Sequence, residues 1–280
     1  MQQLEVYQSL WAMELRSSHQ SERSAEESFK QVAEAGYSGM CLDPAVEQIE
    51  EYLALKPLYQ QHQLGCLVNV FPRSIADMRP LLEFCKEMGA PFANVIGQLF
   101  PISVEGAIPI IRSWMEIADD VGVPIKMETH RDCITNDMFF TLQLLDAIPE
   151  LRLTADLSHY VVNREMSAPV SLENQALMTR ILERSDSFQG RISSHEQIQV
   201  PIQFPQNQKW VAIFKDWWER GMRSWRARAG DDDTLIFLCE LGPPEYAFTD
   251  GEGRELSDRF EEALLIRSWA QDIWARLEAE

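Results

Sequence analysis

Short runs of apolar residues alternate along the chain with longer segments in which apolar positions recur every three or four residues. The short runs have the length of strands and the longer segments have the spacing of amphipathic helices, so the pattern predicts repeated strand–helix units. Repeated units of this kind are typical of a parallel sheet covered by helices. The predicted strands are 4–12, 37–43, 64–71, 92–98, 123–129, 151–157, 190–195 and 234–241.

The predicted helices lie between these strands, and segment 21–35 is typical of them. Ser21, Ser24 and Glu27 supply the chemistry of a helix start, a stripe of apolar side chains follows, and Gly36 ends the segment. The other helices are predicted at 46–62, 75–88, 104–121, 136–148, 172–184, 210–228 and 258–277.

Eight strand–helix units in 280 residues predict a closed (β/α)₈ TIM barrel, an α/β fold that typically takes about 250 residues. A doubly wound open sheet is the alternative, but Trp11-Ala12-Met13-Glu14 stands where that fold carries a glycine-rich phosphate loop. Since the chain contains no linker or low-complexity tract, we expect residues 1–280 to form one domain. The predicted loops after strands six to eight are long, as they are around the sites of barrel enzymes.

Polar side chains stand at the ends of the last four predicted strands. They are Glu128, Asp156, His195 and Glu240, in chain order. In a closed barrel these strands are neighbours, so the side chains converge at the carboxyl-terminal end of the barrel. Three carboxylates in one small volume need a positive charge between them, and a divalent cation supplies it directly. The donor set suits Mn²⁺, Mg²⁺ or Co²⁺, with Zn²⁺ as a further candidate, whereas structural ion pairs are the alternative.

Two more histidines lie near these strand ends. His130 follows Glu128 by two residues, and His159 follows Asp156 by three. Either histidine faces a substrate or packs behind the ligands. Trp11, Asn69 and Gln98 are candidates to line the same pocket, with core packing or a turn as the alternative for each. Arg131 is a candidate to bind an anionic group of the substrate, with a surface salt bridge as the alternative, and Tyr246 and Phe248 are candidates to cover the pocket from the loop after the eighth strand.

Charge and composition exclude several classes of protein. Forty-four acidic residues against twenty-five Lys and Arg give a net charge of −19, which repels nucleic acid and anionic membranes. The amino-terminal segment lacks the pattern of a signal peptide, and no apolar run approaches the length of about 18 residues that a membrane span needs. Five scattered cysteines suggest neither disulfides nor a thiolate metal site, so we expect a cytoplasmic protein.

The order Glu128, Asp156-x-x-His159, His195, Glu240 resembles the metal-dependent xylose isomerase-like barrels. That superfamily includes ketose 3-epimerases, inosose isomerases and dehydratases, dehydroshikimate dehydratases and apurinic endonucleases. The resemblance implies that Glu128, Asp156, His195 and Glu240 bind one divalent metal and that the two glutamates move protons. It also implies a role for His130 and His159 in substrate binding or protonation.

Two features distinguish the chain from parts of that superfamily. Many epimerases carry an arginine shortly after the third ligand, where this chain has Glu196-Gln-Ile-Gln-Val-Pro201. The endonucleases need more metal-binding histidines and a basic groove, which this sequence does not offer.

We therefore predict a metal-dependent isomerase or epimerase of a small polyhydroxylated carbonyl compound, a sugar or an inosose, working through a metal-stabilised enediolate. The expected catalytic residues are Glu128, Glu240, His159 and His130, and the expected partner is a small-molecule sugar or polyol. A metal-dependent dehydratase of an inosose or a hydroxy-keto acid is the first alternative. A sugar-binding protein without catalysis is the second. Homo-oligomer formation is left open.

Overall fold

A computed structural model describes residues 1–280, and its eight strands form a closed barrel. Each strand pairs in parallel with the next, and β1 closes the barrel against β8 in a register that runs from Gln3↔Thr234 to Gln8↔Cys239. The prediction of a single (β/α)₈ TIM barrel is confirmed. The strands are β1 Gln3–Ser9, β2 Gly39–Leu42, β3 Gly65–Val70, β4 Ala93–Val95, β5 Ile125–Glu128, β6 Leu153–Ala155, β7 Ser185–Gly190 and β8 Thr234–Cys239.

Ten helices follow the strands and cover the barrel, and none of them is both long enough and apolar enough to cross a membrane. Predicted segment 46–62 is divided into two helices, and an additional short helix begins directly after Asp156. The helices are α1 Ala25–Glu34, α2 Ile49–Leu53, α3 Lys56–His62, α4 Met78–Met88, α5 Val104–Val121, α6 Met138–Ala147, α7 Leu157–Asn163, α8 Leu172–Leu182, α9 Gln208–Arg226 and α10 Arg259–Glu278.

Helix α1 begins where its capping residues require. The Ser24 side chain accepts a hydrogen bond from the Glu27 amide, and the Glu27 carboxylate accepts one from the Ser24 amide. This reciprocal capping box satisfies amides that have no partner within the helix. The predicted roles of Ser24 and Glu27 are thus confirmed, with the helix starting at Ala25.

The core has two parts, separated by the wall of the barrel. A large cluster of 65 buried apolar residues fills the space between strands and helices. A separate cluster fills the barrel interior with Tyr7, Cys41, Leu67, Phe92, Ile236 and Leu238. Because side chains alternate along a strand, Asn69 lies two residues beyond Leu67 on the same face, and Glu240 beyond Leu238. The interior therefore changes from apolar to polar towards the carboxyl-terminal ends of the strands.

Strand β7 lies five residues earlier than predicted. It covers Ser185–Gly190, whereas the sequence pattern favoured 190–195. The strand escaped detection because Phe188 is its only apolar side chain, and its buried faces carry polar groups instead. Ser187 Oγ donates to the Ile236 carbonyl at 2.8 Å, so a side-chain hydrogen bond compensates for the missing apolar contact.

Candidate active site

Three carboxylates meet at the carboxyl-terminal end of the barrel. Glu128 ends β5, Asp156 follows β6, and Glu240 follows β8. Each contributes an oxygen that lies within 4.8 Å of the other two, and all three residues are buried. The structure therefore brings together three of the four side chains that the strand pattern selected.

His195, the fourth predicted ligand, does not join this cluster. Its ring stacks on Trp210 with 5.9 Å between centroids, and its Nε2 lies 3.7 Å from Glu196 Oε1. The His195 side chain is 39% exposed. The reason is the earlier end of β7 at Gly190, which leaves His195 in the loop beyond the strand end. The prediction that His195 approaches the carboxylates is corrected accordingly.

Arg191 occupies the place expected for the histidine. It directly follows β7, and its guanidinium contacts two carboxylates, with Nε 3.0 Å from Asp156 Oδ2 and Nη2 2.6 Å from Glu240 Oε2. Nη1 donates to Gln199 Oε1 at 3.2 Å. Sequence reasoning missed this residue, although a lone arginine next to a glycine in a predicted buried strand was a usable signal.

Amide side chains of three strands contact the carboxylates of Glu128 and Glu240. Gln189 Nε2 donates to Glu128 Oε2 at 2.6 Å, and Asn94 donates to the same oxygen. Asn69 Nδ2 lies 3.4 Å from Glu240 Oε1. These contacts hold Glu128 and Glu240 and leave Glu128 Oε1 without a hydrogen-bond partner.

A fourth acid, Asp43, lies beside this network and was also missed by the sequence reasoning. It follows β2 directly, and its Oδ1 accepts a hydrogen bond of 2.7 Å from Asn69 Nδ2. Its signal was the same as that of the other acids, namely a carboxylate at the end of a buried strand.

His130 and His159 form a pair next to the carboxylates. Their ring centroids are 4.1 Å apart, and their nitrogens lie within 4.8 Å of a Glu128 oxygen. His130 Nδ1 donates to the Arg131 carbonyl oxygen. His159 is buried, and neither of its ring nitrogens has a hydrogen-bond partner.

A cavity of about 260 Å³ opens onto Glu128, Glu240, Asp43, His130 and Arg191, whereas Asp156 and His159 do not line it. Trp11 and Tyr246 line it with their rings in a T-shaped contact at 5.1 Å, and Arg131 Nη2 donates to the Tyr246 hydroxyl at 2.7 Å. A larger cavity of about 400 Å³ between the loops after β1 and β8 contains none of the buried acids. The smaller cavity is therefore the candidate active site, because two of the buried acids line it, and its size suits a small ligand.

Burial raises the pKa of three of the acids. It raises the pKa of Glu240 to about 7 against the opposing charge of Arg191. Burial and the Glu240 charge raise the pKa of Asp43 to about 8. The pKa of Glu128 is raised well above its ordinary value by burial and then by the charges of Glu240 and Asp156. The single positive charge of Arg191 is therefore not enough to keep all of these acids readily ionised in the buried site.

The pKa values of Asp156, His159 and His130 are lowered. Burial opposes ionisation of Asp156, but the neighbouring His159 and Arg191 outweigh burial and lower its pKa. Burial lowers the pKa of His159, and burial with the charge of His159 lowers the pKa of His130 to about 3. Both imidazoles are therefore neutral at pH 7 in the metal-free site.

Two overlapping sets of donors have the chemistry for a divalent cation. Glu128, Asp156 and Glu240 offer three carboxylates, and Glu128, His130 and His159 offer one carboxylate with two imidazoles. Glu128 belongs to both sets. The unpartnered nitrogens of buried His159 are an independent sign that this region is built to receive a ligand.

No protein-family model and no curated protein matches the sequence. Solved structures, in contrast, match the fold over almost the whole chain. A xylose isomerase-like TIM barrel protein from Mycobacterium smegmatis, solved in complex with magnesium, is 14% identical with a TM-score of 0.63, and the match covers 96% of this chain and 97% of that one.

Two enzymes match comparably well. D-allulose 3-epimerase from Methylomonas sp. is 15% identical with a TM-score of 0.62, over 97% of this chain and 98% of that one. A probable 3-DHS dehydratase from Bacillus anthracis is 13% identical with a TM-score of 0.60, over 94% and 98%. The chain thus has the fold of the xylose isomerase-like TIM barrels, and the resemblance stated from the sequence is confirmed for the fold.

Proposed function

We propose that this protein is an enzyme that isomerises or epimerises a small polyhydroxylated carbonyl compound, either a sugar or an inosose. The reaction moves a proton at the carbon next to the carbonyl. The observation that carries the proposal is the meeting of Glu128, Asp156 and Glu240 within 4.8 Å beside a cavity of about 260 Å³. A solved relative in fold with D-allulose bound supports this substrate class.

Glu240 is the base in this proposal. Its Oε2 is fixed by Arg191, whereas its Oε1 has only the 3.4 Å contact with Asn69 and is available to a substrate. A pKa of about 7 suits a group that must accept and release protons near neutral pH. Glu128 is the second proton carrier, since it enters the site from β5 rather than β8.

Arg191 and Asp156 hold the base in place. Arg191 stays protonated, because Glu240 and Asp156 raise its pKa in spite of burial. Its planar fork donates to both carboxylates at once, which fixes Glu240 against rotation. Asp156 in turn accepts from the Ser158 amide at 3.0 Å, so the start of α7 anchors the pair.

A divalent ion is the cofactor in this proposal, and Glu128 would hold it as the residue common to both donor sets. When bound, such an ion polarises a substrate carbonyl and makes the neighbouring C–H more acidic. The Mycobacterium smegmatis protein of the same fold was solved in complex with magnesium, which supports this cofactor class. Mn²⁺, Mg²⁺, Co²⁺ and Zn²⁺ are the ions to supply in a test.

The test is hydrogen exchange at the carbon next to the carbonyl. Purified protein, supplied with each metal in turn, is incubated in D₂O with a panel of ketoses and inososes and followed by NMR. We expect exchange with at least one compound, and we expect Glu240→Gln and Glu128→Gln each to slow it about 100-fold or more. Glu262→Gln, a change at a buried acid outside the site, should leave the rate within about threefold.

Absence of exchange across the panel with every metal would contradict the proposal. An unchanged rate in both glutamine variants would contradict the roles of Glu240 and Glu128 while leaving the reaction class in place. Circular dichroism on each variant separates loss of the fold from loss of chemistry.

A dehydratase is the second candidate, and the His130–His159 pair beside Glu128 favours it. Protonation of a leaving hydroxyl needs a charged imidazole, however, and burial lowers the pKa of both rings. For this reason we rank it second. A conjugated product that absorbs in the ultraviolet identifies a dehydratase, since an isomerase or epimerase forms none.

A further inference from the structure

Several buried polar atoms of the site lack a hydrogen-bond partner, and both ring nitrogens of His159 are among them. His159 is only 2% exposed, yet neither Nδ1 nor Nε2 has a hydrogen-bond partner. Nε2 lies 3.4 Å from Asp156 Oδ2, but not in the geometry of a hydrogen bond. A buried polar atom without a partner is destabilising, so a ligand on one of these nitrogens would remove that destabilisation.

The tautomer of His130 is set by its backbone contact. Its Nδ1 lies against the Arg131 carbonyl oxygen, which can only accept a hydrogen bond. The proton is therefore on Nδ1, and Nε2 carries a free lone pair. Histidines that bind metals are commonly oriented in this way, with the other ring N–H donated to a carbonyl or carboxylate.

Glu128 completes a set of three donors around one point. Its Oε2 accepts hydrogen bonds from Gln189 and Asn94, which leaves Oε1 free for another partner. Donor atoms of Glu128, His130 and His159 all lie within 4.8 Å of one another. Two neutral imidazoles and one carboxylate are a common ligand set for Zn²⁺, Co²⁺ and Fe²⁺.

The alternative set of three carboxylates already has a cation. Arg191 lies within hydrogen-bond distance of Asp156 Oδ2 and Glu240 Oε2, and its side chain is 2% exposed. A divalent ion on those oxygens would have to displace the guanidinium or lie close to it at a cost in repulsion. The Ser158 amide and hydroxyl occupy the other oxygen of Asp156.

We propose that the protein binds one divalent transition-metal ion through Glu128, His130 and His159, and that Arg191 takes the place of a metal among Asp156 and Glu240. Zn²⁺, Co²⁺ and Fe²⁺ fit this set better than Mg²⁺, which prefers oxygen ligands. The assignment deepens the proposed function and rests on it for the role of the ion. Three protein ligands leave coordination positions open for a substrate.

Metal binding without substrate tests the assignment. The full-length protein is freed of metal with a chelator and titrated with Co²⁺, whose visible spectrum reports coordination, and with Zn²⁺ by calorimetry. We expect one ion per chain, with His159→Ala and His130→Ala each weakening binding by about 10-fold or more. Two matched controls, Glu240→Gln in the carboxylate set and His62→Ala on α3, should change affinity by less than about threefold.

A second measurement needs no variant. Pulsed EPR of the wild-type protein with one equivalent of Cu²⁺ should detect two coordinated imidazole nitrogens, so the proposal remains testable if His159→Ala does not fold. Loss of binding in Glu240→Gln with normal binding in both histidine variants would overturn the assignment. So would absence of nitrogen ligation or of any binding by the wild type. Because substrate is absent, these results are distinct from failure of the proposed isomerase reaction.

Discussion

Arg191 places one buried positive charge among three buried acids and the half-buried Asp43. Its guanidinium contacts Asp156 and Glu240 directly, while Asp43 and Glu128 lie in the same network. Its plane also packs against aromatic rings, 5.8 Å from the centroid of Trp11 and 4.9 Å from that of Tyr246. One side chain therefore links the charge balance of the site to the aromatic wall of its cavity.

Removing this charge should be costly. Arg191→Met leaves Asp156 and Glu240 as buried carboxylates without their partner, so we expect the free energy of unfolding to fall by about 3–5 kcal/mol at pH 7. Urea denaturation of metal-free protein measures the change. Arg112→Met is the matched control, because Arg112 pairs with Glu150 at the surface and its loss should cost no more than about 1 kcal/mol. Equal losses in both variants would contradict the structural role of Arg191.

Single residues were predictable where a strand was recognisable. Glu128 ends a strand, and Asp156 and Glu240 each directly follow one, and all three strands were recognised from the sequence, so the convergence of these acids could be expected from strand order alone. Arg191 and His195 were not placed correctly, because the strand before them has little apolar character. The position of a side chain could thus be predicted only where the boundary of its strand was predicted correctly.

At the scale of elements, strand β7 contributes few large apolar side chains and is positioned by the close approach of its backbone to neighbouring side chains. A Cβ on Gly190 would lie 2.6 Å from Phe237 Cε1 and 2.7 Å from Ile266 Cγ2, closer than side chains normally approach. Gly190 therefore lets the end of β7 lie against β8 and α10. Arg191 is the next residue, so this packing also sets the position of the guanidinium.

Gly190→Ala should consequently disturb both fold and site. We expect a loss of about 1–3 kcal/mol from overpacking, measured by thermal or urea denaturation. The site should respond as well, with a lower rate of substrate C–H exchange. Gly251→Ala controls for the loss of a glycine, since Gly251 has no positive φ and no atom within 4 Å of an added Cβ. A Gly190 variant as stable as wild type would contradict the packing argument.

Helices were predicted well where a cap and an apolar stripe coincide, and less well elsewhere. Helix α5 has both Ser103 as its cap and the expected span Val104–Val121. Helix α7 was missed because it directly follows the strand end and is only seven residues long. Its N-cap is Asp156, so the acid that was interpreted as a metal ligand also starts a helix.

At the scale of the whole molecule, buried acids with raised pKa values make stability depend on pH. Burial raises the pKa of Glu262 to about 7, and those of Glu240 and Asp43 are about 7 and 8. A raised folded-state pKa gives stability that is complete below the unfolded value and is lost as pH rises through the folded value. The window of loss is therefore from about pH 4 to pH 8.

We expect metal-free protein to lose at least about 2 kcal/mol of unfolding free energy between about pH 6.5 and pH 8, measured by urea denaturation. Below this window the lowered pKa values of His130 and His159 act in the opposite direction, because neutral imidazoles favour the folded state. Glu262→Gln should make this dependence shallower, because glutamine keeps an acceptor for the Ile202 amide and does not titrate. Above pH 8 the loss of stability with rising pH should become smaller. Burial lowers the pKa of Lys126 to about 8, and the neutral lysine that forms above this pH favours the folded state. Stability that rises from about pH 6.5 to pH 8 would contradict the expectation.

Closure of the barrel has a consequence for solubility at high concentration. The six paired positions between β1 and β8 leave no strand with a free row of backbone donors and acceptors. Loss of β1 from the wall would create two such rows at once, on β2 and on β8, and each could template the addition of strands from other molecules. The amino-terminal strand thus protects the folded protein from ordered self-association as well as completing its sheet.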